Sequence, residues 1–321
     1  MKSAGFSAWG RAIAAGVDGV ARGVVGSNRQ RWFRAFACGL LVYLLAVIVF
    51  GAWVRITGSG AGCGEHWPMC NGEVIPRSPS QATLIEYTHR LTSGLLGILS
   101  IALPVGAWLS FPPAHAVRRY ALATLLLVVV EAAIGAGLVL RGLVASNASL
   151  LRAVAVALHL GNTLLLTASA ALTALPGREH APAERTSGRS RTALVGLLVA
   201  LFVVAASGAV TALGDTLFPV ASGVSGWRPS ASDHFLVQLR ALHPLLAFFS
   251  LGFAGYQVAL WLSHESARPF ALALGAFASV QALAGVANVL LAAPAWLQLT
   301  HLLLAQFMWM SAVLLTARAR S

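Results

Sequence analysis

Between Leu84 and Gly94 the chain reads LIEYTHRLTSG, placing Glu86, His89 and Arg90 in an otherwise apolar run. With a three-residue spacing, Glu86 and His89 share one face of a helix, about one turn apart. A carboxylate facing hydrocarbon is costly and marks a functional site by default. Burial would let it hold or relay a proton; an ion pair with Arg90 is the structural alternative. Three further histidines, His159, His243 and His301, also fall within apolar runs. His66, His115, His180, His234 and His264 lie in loops or at helix ends, where a solvated surface role is expected.

The four intramembrane histidines occupy the second, fourth, sixth and eighth apolar runs, some 6 to 9 residues past each estimated helix start. At about 1.5 Å per residue they share a depth of roughly 9–13 Å below one membrane face. Imidazoles on neighbouring helices of a four-helix bundle form a cage for a flat metallocofactor, and haem iron accepts such axial nitrogens. Zinc fits less well, because it prefers a compact tetrahedral set that often includes sulfur or carboxylate. Two haem-sized sites are therefore expected. Haem propionates call for planar cationic donors, and Arg55, Arg90, Arg141, Arg152, Arg228 and Arg240 cluster at the same helix ends. Taken singly, each is equally explained as an interfacial anchor whose head reaches water.

The elements that position these groups follow from composition. The chain has 321 residues, 58% of them hydrophobic and 10% charged, with a mean hydropathy of +0.77. Soluble domains carry roughly 25% charged residues, so the chain reads as an all-α integral membrane protein. Runs long enough to span occur near 35–54, 82–111, 119–140, 150–175, 192–213, 235–262, 269–291 and 295–316. If both termini are cytoplasmic, fifteen of the 22 Lys and Arg residues fall on the inner side, as the positive-inside rule requires. That distribution accounts for most of the net charge of +12 without a nucleic-acid partner. Residues 1–34 form a basic cytoplasmic tail rather than a signal peptide, and the setting is a cell (inner) membrane. The linker PGREHAPAERTSGRSR (176–191) separates an N-terminal four-helix half (35–175) from a C-terminal one (192–316). GAWVRITGSG (51–60) echoes GAVTALGDT (208–216), and EAAIGAGLVL (131–140) echoes QALAGVANVL (281–290). The shared order suggests a parallel repeat and two pseudo-symmetric bundles.

The halves are chemically unequal. Aligning His89 with His243 sets Arg240 opposite Glu86, so the acid belongs to the first half alone. Glu131, a weaker proton or packing candidate, is replaced by Gln281. The loop GSGAGCGEHWPMCNG (58–72) carries Cys63 and Cys70, whereas residues 213–234 contain no cysteine. On the outer side these thiols could form a disulfide, a reversible redox pair, or a metal site with His66. Cys38, alone in an apolar run, reads as a buried inert thiol. One reactive site and one cofactor site are the economical interpretation.

Over residues 35–316 the sequence resembles the haem A synthase family. The likeness rests on VRITGSGAGCGEHWPMCNG and IEYTHRLTSGLLG, followed in order by LHLGN, ALHPLL and LTHLLLAQ. It implies oxidation of a haem O ring methyl, through an alcohol, to the formyl group of haem A for terminal oxidase biogenesis. His89 and His159 would flank substrate haem, and His243 and His301 would ligate a resident haem b. Glu86 would be the catalytic acid/base or the stabiliser of a cationic intermediate, with Cys63–Cys70 a loop disulfide. Haem O and the farnesyltransferase that forms it would be the partners. A second cysteine pair found in some relatives is missing here, which argues against a mechanism needing thiols in both halves. The alternatives are a passive di-haem b cytochrome and a haem transporter or chaperone. Both a monomer and a homo-oligomer fit the sequence.

Overall fold

The computed structural model describes residues 4–175, 188–219, 230 and 232–319. Arg228 and most of the 176–191 linker lie outside them. Among the described residues the secondary structure is helical: α1 (Ala4–Ile56), α2 (Gln81–Ser110), α3 (Ala116–Leu140), α4 (Leu150–Ala174), α5 (Gly188–Leu217), α6 (Phe235–Gln238), α7 (Leu242–Trp261), α8 (Arg268–Leu290) and α9 (Ala295–Arg318). Eight spans are long and apolar enough to cross a membrane, from Asn28–Ile56 to Ala295–Arg318, with α6 and α7 sharing Phe235–Trp261. At about 1.5 Å per residue, even the shorter ones exceed the roughly 30 Å hydrocarbon core.

Local chemistry sets the ends. Ser80 and Ser149 cap α2 and α4 by accepting from the Thr83 and Arg152 amides. His115 and His234 do the same through Nδ1 for α3 and α6. Each supplies an acceptor to an amide that the first helical turn leaves unpaired. α5 runs to Leu217, past the end expected near 213, because Asp215 pairs with Arg240 at 2.8 Å. The sixth span changes to a 3-10 turn at Leu239–Ala241 before α7. That restart puts Pro244 in the first turn of α7, where its missing N–H costs no helical hydrogen bond.

α1 packs on α2 and α4, and α3 packs on both α2 and α4; likewise α5 packs on α7 and α9, and α8 on both of those. Contacts of α4 with α5 and α9, and of α1 with α9, join the two rings. The most enclosed spans are α4 and α9, which carry His159 and His301. Two side-chain bonds lock them together: Thr167 Oγ1 donates to Gln306 Oε1 at 3.0 Å, and Trp309 Nε1 donates to the Leu164 carbonyl at 2.7 Å. At the opposite, outer end, Arg55 reaches from the last turn of α1 to the Ala212 carbonyl (2.7 Å), Thr216 Oγ1 and Gln298 Oε1 (3.2 Å). One guanidinium thus ties α1 to α5 and α9.

Replacing Arg55 with Met keeps much of its volume but removes three charge-assisted donations. A loss of about 2–3 kcal/mol is expected, read as a lower thermal unfolding midpoint in detergent. An unchanged midpoint would show that Arg55 does not hold the halves together.

Candidate functional site

The loop after α1 is folded down onto the start of α2. A Cβ at Gly62 would stand only 2.4 Å from the Ala82 carbonyl carbon and oxygen, so only glycine allows this approach. Thr83 Oγ1 donates to the Gly62 carbonyl at 2.8 Å. Cys63 and Cys70 are joined in a disulfide, and both are buried. Their pairing leaves no free thiols for the metal site or the dithiol considered above. Among the described residues, no group of three or more His, Cys, Asp or Glu could hold a metal ion.

Glu86 and Arg90 clamp this loop. Glu86 is 3% exposed; its Oε2 accepts from the Cys63 amide at 2.8 Å, and its Oε1 accepts from Arg90 at 2.5 Å. Arg90 also donates to the His66 and Met69 carbonyls at 2.7 and 2.6 Å. The structural ion pair weighed from sequence is therefore present, and it binds the disulfide loop to the helix one turn above His89. The second half has a different arrangement: Arg240, which the sequence alignment of His89 with His243 sets opposite Glu86, pairs with Asp215 and donates to the Gly214 and Phe218 carbonyls.

Each of the four histidines lies against a glycine of the neighbouring helix. A Cβ at Gly51 would be 3.1 Å from His89 Cε1, and one at Gly208 would be 2.9 Å from His243 Cε1. Gly285 and Gly135 stand in the same relation to His301 and His159, at 3.4 and 3.9 Å. A side chain at the tighter positions would displace the ring. These glycines were not singled out from the sequence, although they occupy matching places in its echoes: Gly51 with Gly208, and Gly135 with Gly285. All four rings are partly buried.

The His243 and His301 ring centroids are 6.4 Å apart, with planes at 84°. Two imidazoles on opposite sides of one metal ion, with metal–nitrogen bonds of about 2 Å, put their centroids roughly 6 Å apart. The separation of the second-half pair matches bis-imidazole ligation of one iron, for which Gln281 would have to release His301 Nε2 or His301 would ligate through its unbonded Nδ1. His243 Nδ1 lies 3.1 Å from both Ser207 Oγ and the Val204 carbonyl, which fixes the ring from behind. Gln281 Nε2 lies 3.1 Å from His301 Nε2. In the first half, His89 packs edge-on against Phe50 with centroids 5.5 Å apart. Buried Nδ1 atoms of His89, His159 and His301 make no hydrogen bond to the protein. Such orphaned donors or acceptors in hydrocarbon call for a partner.

The arginines separate by engagement. Arg152 is buried and donates to the Ala145 and Asn147 carbonyls at 2.6 and 2.7 Å. Arg55, Arg90 and Arg240 are held as described, while Arg141 caps α3 and is exposed. Asn162 and Thr163, also missed from sequence, bind Glu131. The signal for them was HLGNT, which sets both residues on the helix face of His159.

Fold and site together define a multi-pass membrane protein with paired intramembrane imidazoles and a disulfide loop pinned over one pair. Residues 34–313 match the cytochrome oxidase assembly protein family, COX15-CtaA, and the chain belongs to that family. A Thermus thermophilus protein named protoheme IX farnesyltransferase is 47% identical over 297 residues, which cover 90% of this chain and 49% of that relative. The heme A synthase of Exiguobacterium sibiricum is 32% identical over 282 residues, covering 85% of this chain and 90% of its own. That of Alkalihalophilus pseudofirmus is 40% identical over 148 residues, 45% and 47% of the respective chains. The chain thus spans about half the length of the Thermus relative.

Glu86→Ala removes the acceptor for the Cys63 amide and leaves Arg90 without its carboxylate. Losing about 1 kcal/mol of loop anchoring should speed reduction of the Cys63–Cys70 disulfide by dithiothreitol roughly fivefold. An unchanged rate would mean that Glu86 does not hold the loop closed.

Proposed function

We propose that this chain is a haem A synthase, oxidising a ring methyl of haem O to the formyl group of haem A for terminal oxidase assembly. The observation that carries the reading is the Glu86–Arg90–loop assembly, built over one histidine pair and, among the described residues, without a counterpart at the other. A passive di-haem cytochrome has no need of that inequality. A haem transporter or chaperone leaves it equally unexplained.

Under this reading the halves are two pseudo-symmetric bundles. His89 and His159 hold the substrate, and His243 and His301 hold a resident haem b, which supplies one-electron redox chemistry. Both Glu86 oxygens accept from donors, the arrangement of a fixed anion. Its charge lies one turn from His89, where it favours positive charge developing at the reacting methyl carbon. The disulfide loop, held by Arg90 and Thr83, covers that face and limits water. Arg141 is the exposed outer arginine available to a propionate; Arg55, Arg90, Arg152 and Arg240 would meet one only by sharing their present acceptors.

The protein is placed in the cell (inner) membrane with both termini cytoplasmic, in keeping with the distribution of Lys and Arg. A farnesyltransferase that forms haem O is the partner we infer. The Thermus relative bearing that enzyme's name extends well beyond its match to this chain.

Co-expression with a haem O-forming farnesyltransferase tests the reading. The wild type should yield extractable haem A, while Glu86→Ala should retain its second-half haem b and lose haem A. Haem A output unchanged in the variant would remove Glu86 from the mechanism, and none from the wild type would overturn the assignment. Glycine substitutions test the ligand sites separately. Gly208→Ala should lower second-half haem occupancy several-fold, read from the pyridine haemochrome spectrum, because its methyl displaces His243. Gly135→Ala, which makes an ordinary contact with His159, should not lower occupancy; equal losses in both would contradict this account.

A further inference from the structure

Glu131 lies in the middle of α3, and the side chains of Asn162, Thr163 and His159 reach it from α4. Asn162 Nδ2 donates to Oε2 and Thr163 Oγ1 donates to Oε1, each at 2.5 Å. His159 Nδ1 stands 3.3 Å from Oε1, near enough for direct electrostatic interaction although it is not aligned for a hydrogen bond. The equivalent place in the second half holds Gln281, a neutral amide 3.1 Å from His301 Nε2. The same position in the repeat therefore meets the α4 imidazole with a carboxylate, at Nδ1, and the α9 imidazole with a neutral amide, at Nε2.

We propose that Glu131 is a positioning residue that holds His159 by Nδ1, leaves Nε2 to the iron, and makes this imidazole the stronger electron donor of the two. The inference rests on the first half binding haem through His159. Asn162 and Thr163 fix the carboxylate, and the carboxylate fixes the ring, as outer partners of metal-bound histidines commonly do. A negative charge beside one axial ligand favours ferric over ferrous iron. First-half haem would then be harder to reduce than a haem held beside Gln281, which adds no charge. The inequality of the halves thus extends from the outer loop into the membrane interior.

The test is an optical redox titration of the purified haem-loaded protein and its variants. Glu131→Gln keeps the shape and part of the hydrogen bonding. It should raise the reduced-to-oxidised ratio of first-half haem at a fixed poise on the order of tenfold, leaving second-half haem unmoved. Gln281→Glu should lower that ratio for second-half haem, and it decides the matter should Glu131→Gln fail to accumulate. Reduction unchanged in the affected half overturns the proposal. His159→Ala separates the two levels of argument. If it removes first-half haem while Glu131→Gln leaves reduction unaltered, only the role of Glu131 falls. If it removes no haem, the first-half assignment falls as well.

Discussion

A ring nitrogen in hydrocarbon has no water to turn to, and this constraint shapes the whole molecule. Four imidazoles lie on alternate spans, and each needs both room and a partner. Room comes from the facing helix, where Gly51, Gly135, Gly208 and Gly285 let the rings approach the backbone. Partners come unevenly: Ser207 and Val204 for His243, Gln281 for His301 and Glu131 beside His159. His89, His159 and His301 each keep an Nδ1 without a hydrogen bond. The rings are thus constrained by the protein but not satisfied by it, which is the condition of a site prepared for a ligand.

Around this shared frame the outer surface is specialised. Over the first pair, a glycine that only a bare backbone can replace brings the disulfide loop onto α2, and Glu86 and Arg90 receive it. Over the second, Arg240 and Asp215 close the corresponding corner upon themselves. Arg55 spans the division and keeps one half in register with the other. Under the proposed function, an oxidative reaction at one bundle and an electron relay at its neighbour would call for such a rigid junction, because electron transfer depends on a fixed separation.

Much of this was legible in the sequence. Uninterrupted apolar runs fixed eight spans to within a few residues, except at the start of the first. There α1 is already helical from Ala4, well before the apolar run near 35, because Arg29, Arg31 and Arg34 continue the helix without adding to its apolar signal. The end of α5 was also misplaced, since Gly214-Asp215 reads as a breaker until Arg240, 25 residues on, neutralises the carboxylate. Glu86, the histidines and the cysteines stood out because ionisable or reactive groups are rare in such a composition. The glycines did not. A glycine in a transmembrane helix is ordinary, and its meaning appears only when the ring that fills its place is seen. The donors held by each arginine were equally hidden, because backbone carbonyls leave no trace in side-chain spacing.

The central claim is that each half grips a porphyrin between two histidines. A density map of the haem-loaded protein at side-chain resolution tests it most directly. The account predicts one porphyrin between His243 and His301, another between His89 and His159, and the Glu86–Arg90 clamp above the latter alone. A pair closed against itself with no porphyrin between its rings, or iron held by residues outside these four, would contradict it.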